Sequence, residues 1–172
     1  MELTKLHGLG NDYLYIDTLA QDLAGLCLPE LARVLSDRHF GVGADGIILV
    51  EPSAEADFRM RIFNADGSEA EMCGNGGRCA ARFAFLTGIA REKLSFETVA
   101  GFIDYEVRGD VVKLRLTDPR DPVTDDEIRI GNQVLFVHGV NTGVPHFVHF
   151  VRDPDDFDVF NTGRAIRRHE HY

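Results

Sequence analysis

Tryptophan is absent from this 172-residue chain, cysteine occurs three times and tyrosine four. Cys27, Cys73 and Cys79 are too few and too irregularly spaced for a disulfide scaffold, so a reducing cytoplasm is the expected compartment. With no tryptophan, stacking platforms for single-stranded nucleic acid would have to rest on phenylalanine. Positive charge is also in deficit: 18 Lys and Arg against 28 Asp and Glu give a formal charge of −10. That balance opposes a surface that tracks phosphates, and neither nucleic acid nor a membrane is an expected partner. No apolar run nears the ~18 residues that cross a bilayer, and Met1 to Lys5 shows no apolar core of a signal peptide. What remains is ordinary soluble composition, 44% hydrophobic and 27% charged.

The pattern along the chain predicts an α+β fold. Leu3–His7, Tyr13–Asp17, Ile47–Val50 and Phe58–Ile62 read as strands, the last alternating with Arg59 and Arg61. Pro29 suits a first helical position, and Leu31, Ala32, Val34 and Leu35 continue at helical spacing to Asp37. Gly76–Leu86 reads as a second helix stopped by Gly88. Its only charges, Arg78 and Arg82, lie four residues apart on one side, so it belongs inside the domain. Leu94–Thr98, Phe102–Val107 and Val111–Thr117 follow as a three-strand meander with turns at Gly101 and Gly109. The expected architecture is a sheet wrapped around one central buried helix, spanning residues 1–117.

Thr117–Glu127, with two prolines and five acids, reads as a boundary or long connection. Val134–His138 and His146–Val151 look like strands of a new unit over residues 118–172, followed by an acidic turn at Asp153–Asp158. No second buried helix is expected there, and His169-Glu170-His171 reads as a solvated tail. Fifty-odd residues are a thin basis for an independent core.

Gly41-Val-Gly-Ala-Asp-Gly46 matches the letters of a dinucleotide fingerprint, but a true one follows a strand and opens a helix. Here a helix precedes and a strand follows, so NAD is rejected. His7, His39, Cys73 and Cys79 lack zinc-type spacing, and no metal is expected. Asn64–Cys79 is the informative segment, joining a strand to the buried helix with Cys73 just before the helix start. The first turn of a helix carries unpaired N–H groups and partial positive charge, which favours a reactive thiol there. Gly74, Gly76 and Gly77 would let the backbone approach a carboxylate closely. A small buried side chain in a glycine-shaped turn fits the same letters, and the turn by itself leaves both readings open. Cys79 and Cys27 both read as packing residues.

Six segments in register extend the reading. His7-Gly-Leu-Gly-Asn-Asp12, Asp37–Gly46, Phe63–Ser68, Met72-Cys-Gly-Asn-Gly-Gly-Arg-Cys79, Asn141-Thr-Gly-Val-Pro-His146 and Gly163–Glu170 together resemble diaminopimelate epimerase. The resemblance implies two similar lobes, each a sheet around a central helix, with substrate held between them. It implies an isomerase without pyridoxal phosphate or metal. Two thiols on opposite faces of the substrate α-carbon interconvert LL- and meso-diaminopimelate, on the route to lysine and peptidoglycan. Cys73 would be one of these thiols, Asn11, Asn64, Gly74 and Asn75 would bind substrate, and His146 would tune the thiols. The family is often dimeric.

Val144 stands where the family often has asparagine, and Gly46 where some members have a glutamine ligand. The Glu-Arg-Gly and Cys-Gly-Thr-Gly turns that should carry the second cysteine are not reached by Tyr172. The expectation is therefore a truncated chain, holding half a site and inactive by itself. A racemase or isomerase of the same fold, of proline racemase or phenazine-biosynthesis type, is the alternative enzyme, and a non-catalytic binding module the alternative class.

Overall fold

Tyr13-Leu-Tyr-Ile16 and Ile47-Ile-Leu-Val50 run apolar without alternation because both faces of these strands are covered. The structure is a computed structural model and describes residues 1–172, the side chain of Leu94 apart. It divides into two compact units, Met1–Leu116 and Thr117–Tyr172.

In the first unit the elements are β1 (Thr4–Gly8), β2 (Asn11–Asp17), α1 (Leu28–Ser36), β3 (Gly46–Glu51), β4 (Phe58–Asn64) and β5 (Glu69–Ala70). Helix α2 (Gly74–Leu86) and the strands β6 (Lys93–Thr98), β7 (Gly101–Arg108) and β8 (Val111–Arg115) complete it. The strands form one sheet in the order β1-β2-β3-β4-β6-β7-β8, with β5 hanging on β4. Pairs β2/β3 and β4/β6 are parallel and the others antiparallel.

Alternate residues of the central strands face opposite layers. Tyr13, Tyr15, Ile48, Val50, Met60 and Ile62 meet Ala80, Ala81, Phe83 and Ala84 of α2. Leu14, Ile16, Ile47, Leu49 and Phe63 meet Ala32 of α1. Helix α2 touches β1 and β2 at one end of the sheet and β7 and β8 at the other, so the sheet curls around it. Alanines on the packed face allow that close approach, while Phe58 and Phe96 stack at 5.1 Å to fill the floor. Burying either ring is worth about 1.5–3 kcal/mol. The helix ends where Thr87 returns its N–H to Phe83 and Gly88 turns left-handed at φ 76°.

The expected strands, both helices of this unit and the meander are present, with α2 opening two residues earlier than predicted. Cys27 differs. It caps α1 with its backbone, its side chain is exposed and makes no capping bond, so it packs nothing. Its leucine neighbours suggested a core position, but only Leu28 of the two turns inward, against the α1 layer.

The second unit pairs β9 (Arg120–Ile130), β10 (Gln133–Asn141) and β11 (Pro145–Val148) in the order β11-β10-β9, all antiparallel. The acidic, proline-containing stretch read as a connection is therefore mostly strand. It lies at the sheet edge, where Pro122 costs no ladder bond and acidic side chains stay in solvent. Bulges opposite Val137–Asn141 and left-handed Asp121 and Asp125 break its alternation, which hid it from the pattern.

A helix not foreseen, α3 (Val159–Arg167), starts at Asp158, whose carboxylate accepts the Asn161 N–H at 3.1 Å. It buries only Ile166, against Ile128, Leu135 and Val137. The residues after it are largely exposed, as expected of a solvated tail, but they are tied back to β9. His169 Nε2 lies 3.0 Å from the Arg129 carbonyl, and the Tyr172 hydroxyl donates to Asp126 at 2.9 Å. Among the described residues, no helix is long and apolar enough to cross a membrane.

Candidate active site

Beyond β5 the chain enters α2, and Cys73 is the residue at which it becomes helical. Its backbone is extended, at φ −139° and ψ 117°, so Cys73 is the N-cap of α2. The sulfur does the capping. It accepts the Gly76 N–H at 3.3 Å, satisfying one of the unpaired donors of the first turn. On its other side the Sγ–H donates to Oδ1 of Asn11 at 3.4 Å. The sulfur thus has one hydrogen-bond donor and one acceptor beside it. Cys73 is half-buried, reachable from solvent rather than walled off.

Asn11 arrives from the β1–β2 hairpin. Its Nδ2 donates to Asp45 Oδ2 at 2.6 Å, and Asn75 Nδ2 donates to the same Oδ1 that faces the thiol, at 3.4 Å. Asn75 Oδ1 in turn accepts from Arg78 one turn along α2. Asp45 is held by Arg38 Nη2 at 2.9 Å and by the Asp12 N–H at 3.1 Å. Arg38 also grips Asp12 through both terminal nitrogens, and Lys5 reaches Asp12 at 3.1 Å. These cations hold the Asp12 carboxyl well below the usual range, the Arg38 hydrogen bonds contributing most.

Two tyrosines of β2 line the inner side. Burial first, then the adjacent Cys73 sulfur, pushes the Tyr13 hydroxyl above its usual range. Tyr15 is pushed up by burial and then by Cys79, and its hydroxyl donates to the Gly76 carbonyl at 3.0 Å. Cys79 lies half-buried against the core, its thiol raised by burial.

The structure thus brings Asn11, Cys73, Gly74 and Asn75 together. Asn64 ends β4 and gives its amide to the Ser68 hydroxyl at 3.1 Å; among the described residues no hydrogen bond joins it to Cys73. His146 belongs to the second unit, at the start of β11. Its exposed ring turns Nδ1 back to the Val144 carbonyl at 2.7 Å and the Thr142 hydroxyl at 3.2 Å. Among the described residues no group of three or more His, Cys, Asp or Glu is placed to hold a metal.

Asp45, Arg38, Tyr13 and Arg78 were not singled out by sequence reasoning. Asp45 stands in the glycine-rich stretch already rejected as a dinucleotide loop and Arg38 lies just before it, and only the folded hairpin carries Asn11 across to them. Tyr13 read as strand filler and Arg78 as a helix-surface charge. The glycine-rich stretch does join α1 to β3, as its context predicted.

Comparison with known proteins bears on the same residues. The profile of the diaminopimelate epimerase family matches residues 3–120. The chain is 45% identical over 182 residues to a diaminopimelate epimerase of Aquifex aeolicus, covering all of this chain and 65% of that protein. It is 44% identical to one of a Hydrogenobaculum species, covering all of this chain and 66% of that protein. The chain therefore spans about two thirds of the length of these curated relatives.

Among solved structures, a phenazine biosynthesis protein of the PhzF family from Bacillus anthracis superposes with a TM-score of 0.64 at 23% identity, over 90% of this chain and 58% of that one. A hydroxyproline epimerase from Agrobacterium vitis gives 0.61 at 17% identity, over 87% and 50%. These likenesses concern the fold, an α+β sheet curled around a helix.

Proposed function

Because the chain belongs to the diaminopimelate epimerase family, we propose that it serves the cofactor-independent inversion of one α-carbon of diaminopimelate, with Cys73 as one of two acid/base thiols. The observation that carries this reading is the position of the Cys73 sulfur, capping α2 between one donor, the Gly76 N–H, and one acceptor, Asn11 Oδ1. In one direction the ionised sulfur takes the α-proton, and the electron pair left on carbon is delocalised into the α-carboxylate. A second thiol on the far face then delivers a proton to that carbon, inverting it. In the reverse direction Cys73 is the donor.

The carbanionic charge needs fixed dipoles near the carboxylate. The first-turn N–H groups at Gly74 and Asn75, at the positive end of α2, suit that role. Asn11, Asn64 and Asn75 offer uncharged amides that orient a zwitterion at little desolvation cost. His146 is assigned to tuning the thiols on the family likeness. Neither remaining cysteine suits the part of second thiol: Cys27 is exposed at the start of α1, and Cys79 sits within α2 itself. The second thiol is thus expected from the remaining third of the family length.

This reading places the reaction in the cytoplasm, on the route to lysine and peptidoglycan precursors, with a homodimer as the complete protein. The test is loss of the α-proton from LL-diaminopimelate in D2O, followed by NMR, together with chromatographic separation of the meso product. A protein of full family length should show both, and neither with Cys73→Ala. Full turnover by residues 1–172 alone would refute the two-thiol reading. Turnover of proline in place of diaminopimelate would refute the substrate.

A further inference from the structure

Asn11, which meets the Cys73 sulfur, and Asn75, which meets Asn11, are each anchored at the other end to a group whose hydrogen-bonding sense cannot reverse. Ionised Asp45 can only accept, so the Asn11 atom 2.6 Å from its Oδ2 must be Nδ2. Arg78 can only donate, so the Asn75 atom it meets must be Oδ1. These two constraints agree at the centre. They leave Asn75 Nδ2 pointing at Asn11 Oδ1, and Asn11 Oδ1 pointing at the sulfur. Arg38 closes the chain by holding Asp45 Oδ1 at 2.9 Å, while the Asp12 N–H shares Asp45 Oδ2. The result is an ordered line of donors from Arg78 through Asn75 and Asn11 to Asp45. An amide free to rotate could present either an oxygen or an N–H to the sulfur, and the two have opposite consequences. An oxygen accepts the S–H and keeps the proton on sulfur, whereas an N–H stabilises the thiolate.

We propose that Asp45 is a positioning residue of the thiol site, accepting Asn11 Nδ2 so that Asn11 Oδ1 stays turned toward Cys73, with Arg78 setting Asn75 in the same sense from the opposite side. The inference rests on the reading of Cys73 as an acid/base thiol for its catalytic meaning. Asp45 touches neither the sulfur nor, on this assignment, the substrate; it acts through Asn11. The arrangement keeps Asn11 from becoming a permanent thiolate donor, which would leave the sulfur a poor proton donor in the return direction.

The test is a double-mutant cycle read by alkylation of Cys73 with iodoacetamide, followed by peptide mass spectrometry that separates Cys73 from Cys27 and Cys79. Asp45→Ala should raise the Cys73 rate at pH 7 and move the rate–pH profile toward lower pH. Removing a nearby negative charge does some of this through space, and that part persists in an Asn11→Ala background. The part routed through Asn11 does not. The rise in the native background should exceed the rise in the Asn11→Ala background by about three- to tenfold, the span of one hydrogen bond to the sulfur. Equal rises in the two backgrounds, or no rise, would overturn the proposal. Should Asp45→Ala unfold the chain, the isosteric Asp45→Asn is read in the same cycle, with a smaller excess expected and equality again fatal. The readout needs no substrate and no second thiol. Positioning can therefore fail while epimerisation stands, and epimerisation can fail in the D2O assay while positioning stands.

Discussion

The hydroxyl of Tyr15 donates to the carbonyl of Gly76 at 3.0 Å, tying the middle of β2 to the first turn of α2. The bond is wholly buried and joins residues from opposite sides of the core, so it fixes how the capping turn of Cys73 sits on the sheet. Tyr15→Phe removes the donor while keeping the ring packed 5.8 Å from Phe83. The expected cost is about 1 kcal/mol in urea unfolding, because the Gly76 carbonyl keeps its place in the helix ladder. A loss indistinguishable from zero would mean that the hydroxyl does not hold the turn.

Two substitutions separate the capping role of Cys73 from the acid/base role proposed for it. Cys73→Ser keeps an oxygen able to accept the Gly76 N–H, so helix capping should survive. Cys73→Ala deletes the cap and should cost about 1 kcal/mol. Both variants should abolish α-proton exchange in a protein of full family length, a fall of at least about a hundredfold. Stability measured by urea unfolding therefore distinguishes the variants, and isotope exchange does not.

Acid should loosen the Asp12 cluster in a predictable window. Arg38 and Lys5 depress the Asp12 carboxyl in the folded chain below its ordinary value of 3.8. The unfolded state then binds the proton more readily. The cluster's contribution is fully present above pH 3.8 and declines as the pH falls from there toward the depressed folded value. Arg38→Met removes the main cause, so the stability of the variant should fall less steeply between pH 4 and pH 2 in urea titrations. Parallel pH profiles for the two proteins would contradict the assignment.

How much of this was legible in the letters depended on the range of the contacts. Helix α2 announced itself through Ala80, Ala81 and Ala84 with Gly88 beyond, signals that act within a few turns. The doubly covered strands β2 and β3 showed as unbroken apolar runs. Strand β9 did not show, because an edge strand with bulges buries only Ile128 and fills most of its other positions with charged residues and a proline. Helix α3 escaped because it is short and buries only Ile166. At the site, Cys73 and its glycines were visible as a helix entry. The amide order was not, since it depends on Asp45 meeting Asn11 and on Arg78 meeting Asn75 with a defined sense, and no spacing encodes which atom of an amide faces which partner.

Two glycines give the last prediction, with opposite signs. At Gly46, which follows Asp45 and pairs with Asn64, an added Cβ would stand 2.2 Å from the Phe63 carbonyl and 3.0 Å from the Tyr13 ring. Neither can yield: the carbonyl belongs to a central strand and the ring is buried beside Cys73. Gly46→Ala should destabilise the first unit by about 3 kcal/mol. The loss should appear as faster hydrogen exchange across β3 and β4. At Gly163, inside α3, an added Cβ meets nothing within 4 Å. Gly163→Ala should stabilise that helix by about 0.5–1 kcal/mol, because alanine loses less backbone entropy there. Its effect should be confined to slower exchange of the α3 amides. The same substitution thus tests two claims: that the backbone beside Asp45 is sterically fixed, and that Gly163 weakens α3 at a position with room for a side chain.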